Sequence, residues 1–179
     1  MKMSNILPLT PPQEARYKPK EFDFDNPFMD PKELADQLWD NMLHYGGVGL
    51  SANQVGIDAK VFVMGKDDFR LNIFNPQVLT MSPQLEHHKE GCLTWPYLFL
   101  SIRRPSFCVV SYYDENGENH KMKFDGMTAR IFLHEMDHMM GIDFTQRASK
   151  LVLDRGIKAR DKKIKKLVQA GKLKLPNVA

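Results

Sequence analysis

The chain has 179 residues, 42% of them hydrophobic and 26% charged, with a formal net charge of +3 at pH 7. That is enough chain for one domain with a sizeable core, in the ordinary balance of a soluble protein. No apolar run approaches the roughly 20 residues of a membrane helix. The opening MKMSNILPLTPPQEARYK lacks the apolar stretch of a secretory signal, and two cysteines, Cys92 and Cys108, are too few for a disulfide framework. Membrane and disulfide-scaffold classes are thereby set aside, and a reducing compartment is expected.

In chain order, residues 1–30 are rich in proline and polar groups and are expected to run extended over the surface. Asp30-Pro31-Lys32-Glu33 announces a helix, with Asp as N-cap, Pro at the first position and Glu in the first turn. Leu34, Leu38 and Met42 recur every four residues with Trp39 beside them, and Gly46 and Gly47 stop the helix near Tyr45. The loop GGVGLSANQVG follows. Residues 60–64 and 71–74 read as short strands, HHKEGCLTWP as a polar loop that interrupts them, and residues 98–102 and 107–113 as further strands. Asp114-Glu115-Asn116-Gly117 predicts a hairpin turn, with the return strand at 120–124. Asp125 is the expected cap of a helix over 127–140, with Gly141 just past its end. Met127, Ile131, Phe132, Leu133, Met136, Met139 and Met140 put apolar side chains on nearly every face of that helix, which predicts a buried, central position. Ile157, Ile164, Leu167 and Val168 form a narrow stripe at helical spacing and predict a terminal helix. The expected fold class is α+β, with short, mostly antiparallel strands packed around the central helix.

Charge is unevenly spread. From residue 147 onward eleven Lys/Arg stand against Asp154 and Asp161, so this stretch carries +9 and the preceding 146 residues carry −6. Such asymmetry fits either contact with a polyanion or a solvated basic helix.

The central helix contains His134-Glu135-Met136-Asp137-His138, an H-E-x-x-H pattern. Histidines four apart share a helical face and can point at one ion. Glu135 sits about 100° around from His134, placed to approach a metal's water as a general base without being a ligand. The bland alternative is three independently satisfied polar residues, and the burial cost of such groups in an apolar helix weighs against it. A catalytic metal normally needs a third protein ligand. The extended metalloprotease motif places a third histidine where this chain has Phe144, and no glutamate or histidine follows His138. Asp154 and Asp161 lie among basic residues. Upstream, Cys92 in Glu90-Gly91-Cys92-Leu93-Thr94 can complete a Cys-His-His set with a fourth position open, the catalytic rather than structural pattern; otherwise it is one more small buried residue. Cys108, between Phe107 and Val109, fits that second description.

Three motifs now stand in order: Gly47-Val48-Gly49-Leu50-Ser51-Ala52-Asn53-Gln54, then Glu90-Gly91-Cys92-Leu93-Thr94, then Leu133-His134-Glu135-Met136-Asp137-His138. Together they resemble the G-x-G-L-A-A-x-Q, E-G-C-L-S and Q-H-E-x-D-H motifs of the peptide deformylases, over about residues 31–144. The resemblance implies a hydrolase that removes the N-formyl group from the initiator methionine of nascent polypeptides and releases formate. It implies one divalent metal held by Cys92, His134 and His138; the family typically uses Fe(II), which zinc, nickel or cobalt can replace. Gln54 and the backbone N–H of Leu93 are implied as oxyanion donors, with Glu135 as base. Val48, Gly49, Leu50, Gly91, Met127 and Ile131 are implied to meet the formyl-Met peptide, although turn chemistry explains the glycines and core packing explains Met127 and Ile131 equally well from sequence. The resemblance also divides the chain into an extended segment 1–30, a catalytic domain 31–146 and a basic extension 147–179. In bacterial relatives such an extension can dock on the ribosome, which makes the ribosome a candidate partner through salt-sensitive phosphate contacts. No membrane partner and no sequence-specific nucleic-acid binding are expected, and the implied compartment is the cytoplasm, or an organelle stroma or matrix. Leu133 in place of the usual glutamine, together with Ser51, Asn53 and Thr94, departs from the family pattern, and residues 1–30 lack the family's short opening strand pattern. A metallopeptidase cutting internal bonds and an RNA-binding module with a merely structural helix are the rival readings.

Overall fold

The computed structural model describes residues 6–66 and 68–173; residues 1–5 and 174–179 of the two expected terminal segments lie outside it. Helix α1 (Pro31–His44) begins where Asp30 accepts a hydrogen bond from the Glu33 N–H, and ends on Tyr45 and a left-handed Gly46. Strands β1 (Gly49–Ser51), β2 (Val61–Lys66), β3 (Phe69–Met81), β6 (Phe107–Tyr113) and β7 (Asn119–Asp125) form one sheet in the order β1-β2-β3-β6-β7. Strands β4 (Leu85–Cys92) and β5 (Trp95–Pro105) pair separately as a long hairpin, and every pairing is antiparallel. Helix α2 (Gly126–Met139) follows β7, and α3 (Lys150–Gln169) closes the described chain.

Three packed cores position these layers. Leu34, Leu38 and Met42 of α1 pack on Leu50, Val61, Val63 and Phe74. Phe132, Leu133 and Met139 of α2 pack on Phe62, Ile73, Val110 and Phe124 across the sheet's other face. Each such large side chain contributes about 1.5–3 kcal/mol when fully buried. A third cluster, with Leu98, Leu100, Ile102 and Phe144 buried, ties β5 to Val152 and Leu153 of α3.

The α+β class and the buried position of the central helix agree with expectation, and the helix buries His134, Glu135, Asp137 and His138 as well as its apolar residues. Several local details differ. The expected loop after α1 holds β1 and a 3-10 turn at Ala52–Val55, and the strands expected to be short at 71–74 and 98–102 run for 13 and 11 residues as β3 and β5. The stretch expected to be a polar loop, HHKEGCLTWP, is the end of β4 and the start of β5; its strand alternation was masked because the inward position before Cys92 is a charged residue, Glu90. Asp125 stands at the N-cap of α2, but its side chain makes no capping bond and pairs with Lys123 at 3.1 Å. The described part of the N-terminal segment lacks helix and strand yet is tied down: Thr10 N–H donates to Gln54 O at 2.7 Å, Phe22 exchanges bonds with the Asn75 side chain, and Arg16 pairs with Asp143 at 2.5 Å.

Candidate functional site

A cleft of about 640 Å³ lies between the loop that follows α1, the β4–β5 turn and the first half of α2. At its floor the β4–β5 ladder shifts register between Gly91 and Cys92, so Cys92 faces Trp95 across a two-residue turn of Leu93 and Thr94. Such an irregularity re-aims a side chain, and here it brings Cys92 to α2. Cys92 Sγ is 3.3 Å from His138 Nε2, and one donor atom from each of Cys92, His134 and His138 lies within 4.8 Å of the others. His134 Nδ1 is engaged by Glu90 Oε2 at 3.1 Å, leaving its Nε2 for a cation.

Charge in this cluster is ordered by buried ion pairs. Glu90 Oε1 accepts from Arg104 Nε at 2.8 Å and Arg130 Nη1 at 2.5 Å, and Oε2 accepts from Arg104 Nη2 at 2.9 Å. Arg104 Nη1 also donates to Asp137 Oδ2 at 2.7 Å, and Arg147 closes on the other oxygen of Asp137 at 2.5 Å. Burial pushes the Glu90 carboxyl up, but the bonds from His134 and Arg104 outweigh it and lower the pKa to about 2. Burial likewise opposes ionisation of the Cys92 thiol, and the positive charge and hydrogen bonds of His138 and His134 override it, holding the thiol well below its ordinary range. The Cys92 thiolate and the Glu90 carboxylate flank His134 and favour a positive charge there, which a divalent cation satisfies. A thiolate with two imidazoles is a donor set for zinc-like and first-row transition metals, so these residues fit a metal on both geometry and charge.

Glu135 faces the same point from α2. It is buried; its Oε2 has no hydrogen-bond partner, and burial raises its pKa. Gly49 makes room for it: a Cβ built at residue 49 would stand 3.0 Å from Glu135 Cδ and inside contact distance of Oε1. Gln54 is held with Oε1 accepting from the Ser51 N–H and hydroxyl, each at 3.0 Å, so its Nε2 donates toward Cys92 Sγ at 3.4 Å. Thr94 Oγ1 is 3.1 Å from the same sulfur.

Of the residues expected from sequence, Cys92, His134, Glu135, Gln54, Leu93, Val48, Gly49, Gly91, Met127 and Ile131 all line the cleft, and His138 lies behind Cys92. Leu50 does not join them: its side chain is fully buried in the core under α1, so only its backbone is left to meet a substrate. Met127 is 59% exposed at the rim and belongs to the cleft rather than the core. Where the family has glutamine, Leu133 buries its side chain, while its carbonyl accepts from Arg104 Nη1 at 3.2 Å. The orienting groups Arg104 and Arg130 escaped sequence reasoning, and Asp137 entered only as a position of the third motif, with no role; the one sequence signal was that Arg130 and Asp137 sit inside an apolar helix, where only paired charges are buried. Asn53, which donates to Ala15 O at 3.0 Å and His138 O at 2.9 Å, offered no such signal.

Comparison with known proteins gives the family. Residues 11–153 match the family model for polypeptide deformylase. A peptide deformylase of Thermotoga maritima is 37% identical over 118 residues, covering 66% of this chain and 72% of its own. A chloroplastic peptide deformylase 1B of Oryza sativa is 35% identical over 140 residues, covering 74% and 52% respectively. The crystal structure of a Synechococcus elongatus peptide deformylase in complex with actinonin superposes with a TM-score of 0.81 at 30% identity, covering 90% of each chain. With its three motifs converging on one cleft, the chain belongs to the polypeptide deformylase family, the hydrolases that take the N-formyl group off nascent polypeptides.

Proposed function

We propose that this chain hydrolyses the formyl amide of formyl-methionyl peptides with Cys92, His134 and His138 holding one divalent cation. The convergence of those three donor atoms within 4.8 Å beside the unpartnered oxygen of Glu135 supports the reading. The cation, when bound, supplies Lewis acidity that makes a water acidic near neutral pH and polarises a carbonyl. Glu135 accepts the proton of the attacking water and returns it to the leaving nitrogen; its raised pKa suits a group that must hold that proton briefly. The formyl C–N bond breaks, and formate and a free amine leave. Gln54 Nε2, aimed by Ser51, and the Leu93 N–H stabilise the oxyanion; a donor of this kind is worth roughly 2.7–4 kcal/mol. Val48, Met127, Ile131 and the face of the His134 ring receive the methionine side chain, and Gly49, Gly91 and the Leu50 backbone the peptide. All of these except Leu50 line the same cleft. Incubation with formyl-Met-Ala-Ser is expected to release formate with no internal cleavage, and Cys92→Ala to lose both metal and activity. Internal cleavage without formate would sink the reading in favour of a metallopeptidase.

We propose Fe(II) as the cellular metal, with zinc, nickel or cobalt as replacements. A single thiolate beside two imidazoles supports any of them, and metal analysis of protein purified without oxygen decides. We also propose that residues 31–146 form the catalytic domain, that the described residues 6–30 of the N-terminal segment 1–30 run extended over its surface, and that the basic extension 147–179 docks on ribosomal RNA. Exposed Lys162, Lys165 and Lys166 of α3 support the docking; reversing these three charges should abolish low-salt co-sedimentation with ribosomes. The cytoplasm, or an organelle stroma or matrix, is where formylated chains emerge. One relative is chloroplastic, which supports the organelle alternative.

A further inference from the structure

Helix α3 contributes no side chain to the cleft, yet it holds a wall that does. Trp95, Pro96, Tyr97, Leu98 and Phe99 line the cleft. The hairpin ladder does not hold all of them. Cys92 pairs with Trp95 and the next pair is Gly91 with Phe99, so Pro96, Tyr97 and Leu98 bulge out of register with β4. Pro96 has no N–H to give, and Tyr97 sits in the left-handed region at φ 65°, a conformation unfavourable to a side-chain-bearing residue. Something other than the ladder must fix this segment.

Leu98 is anchored by burial with Leu100, Ile102 and Phe144, and α3 reaches the residues before it. Arg160 Nε donates to Pro96 O at 2.9 Å, and its guanidinium lies 5.9 Å from the centre of the Trp95 ring. Lys163 Nζ lies 5.4 Å from the centre of the Tyr97 ring. Gly156 lets the helix approach: a Cβ there would strike Leu100 Cδ2 and come within 3.3 Å of Leu98. We propose that Arg160 is a positioning residue for the substrate cleft, clamping Trp95 and Pro96 into the wall against which the peptide lies. The proposal deepens the deformylase reading of the same cleft and rests on it. It places a determinant of substrate affinity beyond residue 153, where the family match ends.

The test uses the full chain carrying Trp39→Phe, which leaves Trp95 as the sole tryptophan. Four properties are measured in the parent, Arg160→Ala and Arg160→Lys: the kinetics (KM and kcat) with formyl-Met-Ala-Ser, acrylamide quenching of Trp95 fluorescence, metal content and melting temperature. Arg160→Ala should raise KM about five- to tenfold, the scale of one hydrogen bond with a cation–ring contact. Its kcat should stay within about twofold, its metal content should be unchanged, and quenching should rise. Arg160→Lys keeps a cation and a donor near Pro96 O, and should recover most of the KM. Unchanged quenching in Arg160→Ala would show that the wall does not need the clamp. Raised quenching or a lowered melting temperature with unchanged KM would show a purely structural contact. Either result overturns the proposal. A parent that releases no formate refutes the deformylase reading instead, and the quenching comparison still decides whether Arg160 holds the wall.

Discussion

Replacing Gly49 by alanine is expected to cut kcat/KM about a hundredfold without loss of metal. Gly49 opens β1 opposite Met64 and is not in a left-handed conformation, so the backbone accepts alanine. The whole effect then comes from what the new methyl meets. Its carbon would stand 3.0 Å from Glu135 Cδ and 3.1 Å from Cγ, and still closer to Oε1. Comfortable carbon–carbon contact is about 3.5–4.0 Å, so the carboxylate must retreat by about half to one ångström. Misplacing a reacting group by that much costs on the order of 10²-fold, or about 2.7 kcal/mol in the barrier. Steady-state formate release from formyl-Met-Ala-Ser, alongside metal analysis of the same preparations, measures it. The reasoning also fixes the double variant: once Glu135→Gln has removed the base, adding Gly49→Ala should change the residual rate by less than about twofold. Activity within threefold of the parent, or a loss accompanied by vacant metal sites, would refute the idea that this glycine exists to seat the carboxylate.

Glu135→Gln itself should keep a full complement of metal and lose at least about 10²-fold in kcat, the lower end of what general base catalysis supplies; atomic absorption and formate release check the two halves. Arg130→Met removes one of the two arginines on Glu90 along with bonds to the carbonyls of Ile102 and Glu86. Chelator competition should show metal bound about 10–100-fold more weakly, and urea unfolding a loss of about 3 kcal/mol. Asp143 is buried, which opposes its ionisation, but bonds from Thr145 and Arg16 outweigh burial and hold its carboxyl below the usual range. A carboxylate with a depressed folded-state pKa stabilises above its unfolded value and loses that contribution as pH falls through the folded one. Asp143→Asn should therefore cost about 2 kcal/mol at pH 7. The gap from the parent should persist to near pH 4 and narrow only below it, as followed by denaturant midpoints across that range.

Which residues gather at this cleft was legible in the chain because they are types that are scarce in a core. Two histidines on one helical face, a cysteine in a polar stretch and a glycine-bounded glutamine each stand out, and their side chains point into a single space. The framework that aims them was less legible, since its contacts are long-range and leave no periodicity. Arg104 meets Asp137 across 33 positions and Arg130 meets Glu90 across 40; the two carboxylates stand in motifs, but nothing near either arginine marks which one it joins. The β4–β5 hairpin was obscured for a related reason: with Glu90 as an inward residue, the strand has no apolar alternation to read. The terminal helix was expected from Ile157, Ile164, Leu167 and Val168, but the contacts that dock it run through Val152, Leu153, Gly156, Arg160 and Lys163. Beyond Val152 and Leu153, a missing side chain and two cations make that face, and no hydrophobicity pattern reports those three.

Gly156 sits inside a helix, where it costs about 1 kcal/mol relative to alanine, and it is the notch through which α3 straddles the two leucines of β5. Neighbouring helical positions are turned by about 100°. Adding or removing one residue between Ser149 and Gly156 would therefore swing the notch aside and press Arg155 or Ile157 onto those leucines. The tail is indexed like a key in its ward. Lys162, Lys165 and Lys166 keep a fixed bearing relative to the cleft, so on the proposed docking whatever grips them also sets how that cleft faces an arriving chain.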